Sequence, residues 1–156
     1  MKNKKYWLFL GFFQGNMLHA QIQVTGSINK PTTIQVDQFE SRKIGRIPIL
    51  NHNGVKKQPI TKAKGILFIT ALSAIELMDS NPKNFSRYIY TIRAKDGYAV
   101  TFSWNELYNT SIGKRVFLLT ETESHPNNGI ILISKFDRYT GRRFVKDVSE
   151  IHIERK

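Results

Sequence analysis

The stretch Asp96–Leu107 constrains the fold more than any other part of the sequence, because it encodes a chain reversal and a helix start in twelve residues. Asp96-Gly97 is a dipeptide that supplies the positive φ angles of a tight hairpin turn, and β-branched and aromatic residues flank it on both sides. Ser103 and Glu106 have the spacing of a capping box, in which a hydroxyl and a carboxylate bind N–H groups that a helix start leaves unpaired. The stretch therefore predicts two paired strands followed by a short helix.

Most of the remaining chain has the period-two alternation or the short apolar runs that are typical of strands. Strands are predicted at residues 22–28, 32–36, 43–50, 88–94, 98–102, 114–120, 130–134 and 143–153, the last as a strand pair or a bulged strand. Residues 56–64 are predicted to form a turn or an extended connection, and Asp37 to cap one helical turn. Phe68, Leu72 and Ile75 fall on one helix face, and Asn81-Pro82 is expected to end that helix.

These patterns predict an α+β fold, a β-rich single domain with one main helix. A chain of 156 residues with 40% hydrophobic residues is large enough to bury one core.

The first twenty residues have the composition of a signal peptide. Residues 1–5 form a basic segment, residues 6–13 form a short apolar segment, and cleavage is expected after Ala20. A transmembrane anchor is the alternative, but Gln14-Gly15 interrupts the apolar run before the roughly 20 residues that a bilayer span needs. We therefore expect an exported protein, periplasmic or secreted, whose domain covers residues 21–156 and which has no transmembrane segment after cleavage.

The net charge of the chain limits the classes of partner that we expect it to bind. Loss of the three lysines among the first five residues lowers the formal net charge from +12 to +9. Such a charge fits an anionic partner, but the cations are scattered in sequence, without a basic helix or an RNA-binding aromatic motif. The prediction is a mostly solvated basic surface that binds a small anionic ligand or an envelope protein, and no nucleic acid.

The chain has no cysteine. Disulfides, cysteine-ligated zinc, iron–sulfur clusters and thiol nucleophiles are therefore excluded. The histidines His52, His125 and His152 are far apart in sequence and have no carboxylate at ligand spacing, which favours surface or structural roles over a metal site. Glu121 and Glu123 are predicted to share one solvated strand face rather than to form a catalytic pair.

Several fragments resemble, in order, the molybdopterin-binding domain of sulfite-oxidase-like oxidoreductases. They are Val24-Thr-Gly-Ser-Ile-Asn-Lys-Pro, Val36-Asp-Gln-Phe, Lys64-Gly-Ile-Leu-Phe-Ile-Thr-Ala-Leu, Ala94-Lys-Asp-Gly-Tyr with Phe102-Ser-Trp-Asn-Glu-Leu, Gly129-Ile-Ile-Leu-Ile, and Arg143-Phe-Val-Lys-Asp-Val-Ser-Glu-Ile. The resemblance covers most of residues 21–156 and implies that family's mixed fold, with a β-grasp-like element.

The family's chemistry is not implied in full. In active members a cysteine thiolate holds molybdenum, whereas the matching loop here is Leu50-Asn-His-Asn-Gly, and the arginine of the family's Gly-Pro-Leu-Arg run is replaced by Ile131 or Leu132. The resemblance thus implies a cofactor-degenerate relative, with no cofactor expected. A site placed by analogy would consist of Asn51, His52 and Asn53, with Arg143 and Lys146 as anion-contacting groups; a loop that only turns the chain, beside solvated cations, is the alternative.

Two functions follow as expectations. One is an exported, non-catalytic binding or accessory domain of unknown ligand. The other is an oxidoreductase component that retains molybdopterin without a cysteine ligand.

Overall fold

The computed structural model describes residues 20–125 and 129–156. The predicted signal peptide lies outside these residues except for Ala20, and so does part of the loop that follows His125. The described residues form ten strands: β1 (Gln21–Gly26), β2 (Thr32–Gln35), β3 (Arg42–Leu50), β4 (Lys56–Leu67), β5 (Tyr88–Ala94), β6 (Ala99–Ser103), β7 (Val116–Glu121), β8 (Ile131–Ser134), β9 (Phe144–Val145) and β10 (Val148–Arg155). The same residues contain two α-helices, α1 (Phe68–Leu72) and α2 (Trp104–Tyr108), and short 3-10 turns at 36–38, 82–87, 113–115 and 140–143.

The strands form two five-stranded sheets. The first has the order β2-β1-β10-β5-β6, and the second has the order β3-β4-β7-β8-β9. β1 pairs with β10 in parallel, and the other pairings are antiparallel. The predicted β-rich α+β domain is confirmed.

The main core lies between the two sheets. Alternation along β7 shows how it is built: Val116 and Leu118 belong to the main core, whereas Phe117 and Leu119 belong to a second apolar cluster on the other face. All eight buried members of that second cluster lie on strands of the second sheet, so this sheet encloses it. β8 is consequently buried on both faces, as its continuous apolar run predicted.

The Asp96-Gly97 hairpin and the capping box are present as predicted. β5 pairs with β6 across the turn, where Gly97 has a φ of +89°. The Ser103 hydroxyl accepts from the Glu106 backbone N–H at 3.1 Å, and the Glu106 carboxylate accepts from the Ser103 backbone N–H at 2.8 Å. This box starts α2.

The helix predicted from Phe68 toward Asn81 is much shorter than expected and ends at Leu72. The segment that follows α1 instead forms backbone hydrogen bonds with the segment just after β1. The Asn29 N–H donates to the Glu76 carbonyl, and the Met78 N–H donates to the Ser27 carbonyl. Because these backbone groups are bonded to a distant segment, they are not available for a helix.

Two smaller expectations concern residues 56–64 and Asp37. Residues 56–64, predicted as a turn or an extended connection, are extended and belong to β4, the longest strand in the described part of the chain. Asp37 lies inside a 3-10 turn whose capping position is Gln35. Glu121 and Glu123 are exposed as predicted, and each pairs with a lysine of β4.

Candidate functional site

The loop predicted as part of a site joins β3 to β4 and is held by its own hydrogen bonds. The Asn51 side-chain oxygen accepts from the backbone N–H groups of Asn53 at 3.0 Å and of Val55 at 2.9 Å. Gly54 takes a φ of +77°, which L side chains rarely adopt. The amide of Asn51 therefore serves the turn, while His52 and Asn53 remain exposed.

Arg143 is engaged within the fold. Its guanidinium donates from Nε and Nη2 to the two carboxylate oxygens of Asp137, both at 2.7 Å, and from Nη1 to Glu106 at 3.0 Å. It also lies 4.1 Å from the centre of the Phe102 ring. Burial alone would lower the pKa of Arg143, but the hydrogen bonds and charges of Asp137 and Glu106 raise it. Arg143 thus ties α2 to the chain after β8.

Lys146 is exposed, and its Nζ lies 5.4 Å from the centre of the Phe144 ring. Burial and, next, the charge of Lys146 lower the pKa of His125. The hydrogen bonds and ring contacts of the described residues thus do not join Arg143 or Lys146 to the Asn51–Asn53 loop.

Tyr139 and Arg142 do meet this loop, and together with Arg138 they form a group that we call the arginine–tyrosine cluster. The guanidinium carbons of Arg138 and Arg142 lie 5.4 Å and 5.0 Å from the centre of the Tyr139 ring. Arg142 donates to the His52 carbonyl at 3.2 Å, and a Cβ placed on Gly54 would lie 3.3 Å from the Tyr139 ring. The cluster and the loop therefore form one surface.

Beside the cluster is a hollow of about 400 Å³. Its lining consists of Ile112, Phe136, Asp137, Arg138, Tyr139, Arg142 and Arg143. Among residues 20–125 and 129–156, neither Arg138 nor Arg142 pairs with a carboxylate. Two guanidiniums without a carboxylate partner, next to apolar walls, can hold a phosphate or carboxylate that carries an apolar group.

A second and larger hollow, of about 530 Å³, lies on another part of the molecule, and we call it the aromatic cleft. It is lined by Asn29, Leu72, Ser73, Ile75, Glu76, Leu77, Asp79, Phe85, Tyr90, Trp104 and Tyr108. The Trp104 ring has two aromatic neighbours: its centre is 5.6 Å from that of Phe85, whose ring is tilted by 49°, and 5.3 Å from that of Tyr108, on which it stacks. The capping box positions Trp104 and Tyr108, because it starts the helix on which they stand four residues apart.

The polar side chains that line the aromatic cleft differ in their burial, hydrogen bonds and ion pairs. Tyr90 is buried, which raises the pKa of its phenol, as do the charges and the hydrogen bond of neighbouring tyrosines. Asp79 pairs with Arg155 at 2.6 Å and accepts from Asn84 and Tyr88. Glu76 is exposed, and its carboxylate is 3.4 Å from the Asn29 amide nitrogen.

The loop in the position of the family's cysteine does not fit a thiolate-held molybdenum. Its side chains are amide and imidazole groups, and the Asn51 amide is already bonded within the turn. The chain supplies no soft sulfur ligand of that kind anywhere in its sequence, since it has no cysteine. The described residues also contain no group of three or more histidine, aspartate or glutamate side chains placed to hold a metal ion.

The sequence contained a signal for the cluster that residue-by-residue analogy overlooked. Arg138 and Arg142 flank Tyr139 within five residues, a spacing that brings two cations to one ring when the chain turns. For the aromatic cleft the signal was the position of Trp104 directly after the capping Ser103, with Tyr108 one helical turn further on. No sequence pattern places Leu77 or Phe85 beside them.

Comparison with protein-family models finds no match to this chain, and comparison with curated proteins finds none either. Within the described residues, no helix combines the length and the apolar character needed to cross a bilayer.

Proposed function

We propose that this protein is an exported, non-catalytic binding domain that holds a small anionic ligand at the arginine–tyrosine cluster. The observation that carries the proposal is the pair Arg138 and Arg142, which lie over one tyrosine ring, beside a hollow, without a carboxylate partner among the described residues. Guanidinium groups are weakly hydrated and present paired donors, which suits phosphate and carboxylate. The export part rests on the charge and hydropathy pattern of residues 1–20.

The apolar residues that line the hollow indicate a more specific class of anionic ligand. Phe136 is 47% exposed and lines the hollow together with Ile112. A ligand with a flat apolar part would bury this ring while its anionic group meets the arginines. We therefore expect an aryl phosphate to bind more tightly than inorganic phosphate.

The test is titration of the protein with phenyl phosphate and with inorganic phosphate, followed by amide chemical shifts. We expect shifts at residues 136–142 and in the Asn51–Val55 turn, with phenyl phosphate the stronger ligand. In a variant with Arg138→Gln and Arg142→Gln, we expect affinity to fall about tenfold or more, since each charged hydrogen bond is worth about 1.5–3 kcal/mol.

Arg46→Gln is the matched control, because Arg46 is an exposed cation on β3 that is outside the hollow. Equal losses in the control and in the double variant would show diffuse attraction to a basic surface and would contradict the proposal. Absence of saturable shifts with either phosphate would contradict it as well.

The second candidate, a molybdopterin-binding oxidoreductase component, is supported by the order of the sequence fragments that resemble that family. The lack of a thiolate ligand weighs against it. Copurification of molybdenum and pterin with the protein tests this candidate.

A further inference from the structure

The aromatic cleft differs in charge from the rest of the molecule. The chain has 24 lysine and arginine residues against 12 aspartate and glutamate residues. The lining of the cleft nevertheless includes Glu76 and Asp79 and no lysine or arginine. A strongly basic protein thus carries a cleft whose charged lining groups are both acidic.

The two carboxylates are not equivalent. The Asp79 carboxylate is compensated, because it pairs with Arg155 at 2.6 Å and accepts hydrogen bonds from the Asn84 amide and the Tyr88 hydroxyl. Glu76 has no ion pair among residues 20–125 and 129–156, and its only side-chain hydrogen bond there is the 3.4 Å one from the Asn29 amide. Glu76 is the carboxylate that is available to a ligand.

The aromatic rings supply the rest of the site. Trp104 stacks on Tyr108, and the Phe85 ring lies against Trp104 at a tilt of 49°. Tyr108 is 42% exposed and Trp104 is partly exposed. Ring faces attract cations, and the attraction is strongest for tryptophan. The volume of about 530 Å³ lies within the range of roughly 300–1,000 Å³ that is typical of small-molecule sites.

We propose that the aromatic cleft binds an organic cation, namely a small ligand with a protonated amine on a flat apolar body. The body packs against the rings of Trp104 and Tyr108, and the ammonium pairs with the Glu76 carboxylate. Charge complementarity separates this site from the arginine–tyrosine cluster, whose ligand is anionic. The inference is independent of the proposed function, because the two hollows share no lining residue.

The test uses a pair of probes that differ in the charge of one group. Phenethylammonium and 3-phenylpropionate have a similar size and the same ring but opposite charge. Binding is followed by tryptophan fluorescence in the full chain with Trp7→Phe, which leaves Trp104 as its only indole. We expect phenethylammonium to change this fluorescence saturably and 3-phenylpropionate to bind at least about fivefold more weakly, the factor that corresponds to an exposed ion pair of about 1 kcal/mol.

Glu76→Gln should reduce the preference for the cation about two- to fivefold, as expected for loss of one exposed ion pair. Glu40→Gln is the matched control, since Glu40 is an exposed carboxylate outside the cleft. Equal binding of the two probes, equal effects of the two substitutions, or no saturable change with phenethylammonium would each overturn the proposal. A positive result here with no anion binding at Arg138 and Arg142 would refute only the proposed function, and the reverse result would refute only the cation site.

Discussion

Arg143 and Asp137 form a bidentate ion pair: the arginine donates from Nε to Oδ2 and from Nη2 to Oδ1 of the aspartate, both at 2.7 Å. The arginine side chain is 19% exposed and the aspartate side chain 14% exposed. The third donor of the guanidinium reaches Glu106, the residue that also closes the capping box of α2. One arginine thus links the segment after β8 to the helix that carries Trp104 and Tyr108 of the aromatic cleft.

Replacing Asp137 should destabilise the protein strongly. Asp137→Asn removes the charge that compensates a mostly buried guanidinium, and the Ser134 hydroxyl also loses its carboxylate acceptor. We expect the free energy of unfolding to fall by about 2–4 kcal/mol, between the values for a charged hydrogen bond and for a broken buried pair. Chemical denaturation followed by circular dichroism measures this change.

Glu121→Gln is the control for Asp137→Asn. Glu121 pairs with Lys64 at 2.8 Å, but both side chains are about half exposed, so its loss should cost less than about 1 kcal/mol. Similar losses for the two variants would mean that Asp137 contributes no more than a surface ion pair does.

Ser103→Ala tests the capping box. The substitution removes the side-chain acceptor of the Glu106 N–H and leaves the backbone contact of the Glu106 carboxylate. We expect a loss of about 1 kcal/mol in unfolding free energy, the usual cost of losing an N-cap side chain. Ser111→Ala, at an exposed serine two residues before Gly113, should change stability by less than about 0.5 kcal/mol. If both serines gave the same small change, the cap would not be stabilising α2.

The parts of the fold that sequence predicted correctly depend on local chemistry. Asp96-Gly97 allows the turn conformation by itself, and Ser103 and Glu106 find each other three residues apart. The continuous apolar run of β8 indicates burial on both faces without reference to any partner. Such signals need no knowledge of the tertiary structure.

The helix predicted from Phe68 toward Asn81 was wrong beyond Leu72, because long-range contacts that local sequence does not encode determine this segment. Phe68, Leu72 and Ile75 have helical spacing, but the backbone near Leu77 bonds to the segment around Ile28, nearly fifty residues away. Tertiary pairing overrides a moderate helical pattern because it satisfies the same backbone groups and buries the apolar side chains.

The residues of the candidate site could not be predicted from the sequence for a related reason. Sequence does not distinguish an arginine that is free to bind a ligand from one that pairs with a distant carboxylate. Arg143 pairs with Glu106, which is 37 residues away in the chain. Only the fold shows that Arg143 is engaged and that Arg142, the residue before it, reaches the His52 carbonyl.

His125 should make stability depend on pH. Burial first, and then the charge of Lys146, lower its folded-state pKa below the unfolded value of about 6.5. A histidine with a lowered folded pKa stabilises the fold in its neutral form, so the contribution is present above about pH 6.5 and is lost as the pH falls through the folded pKa. We expect the free energy of unfolding to decrease with acidification in this window, and His125→Asn to reduce that slope.

Lys146→Gln separates the two causes. Removing the lysine charge should raise the pKa of His125 toward its usual value while burial against Phe144 remains. Titration of the imidazole proton resonances by nuclear magnetic resonance measures both forms. A His125 pKa at or above 6.5 in the unsubstituted protein would contradict the assignment of this pH dependence.

Molybdenum should not copurify with this protein when it is made in a host that synthesises molybdenum cofactor. In the family that the sequence resembles, a cysteine thiolate holds the metal, and this chain offers amide and imidazole groups in the matching turn. The Asn51 oxygen is already bonded to two backbone N–H groups, so binding a metal there would break the turn. Metal analysis together with pterin fluorescence on the purified protein tests the expectation. Stoichiometric molybdenum and pterin would instead support the oxidoreductase candidate, and the arginine–tyrosine cluster beside this turn would then have to be considered as contacts for the phosphate of the cofactor.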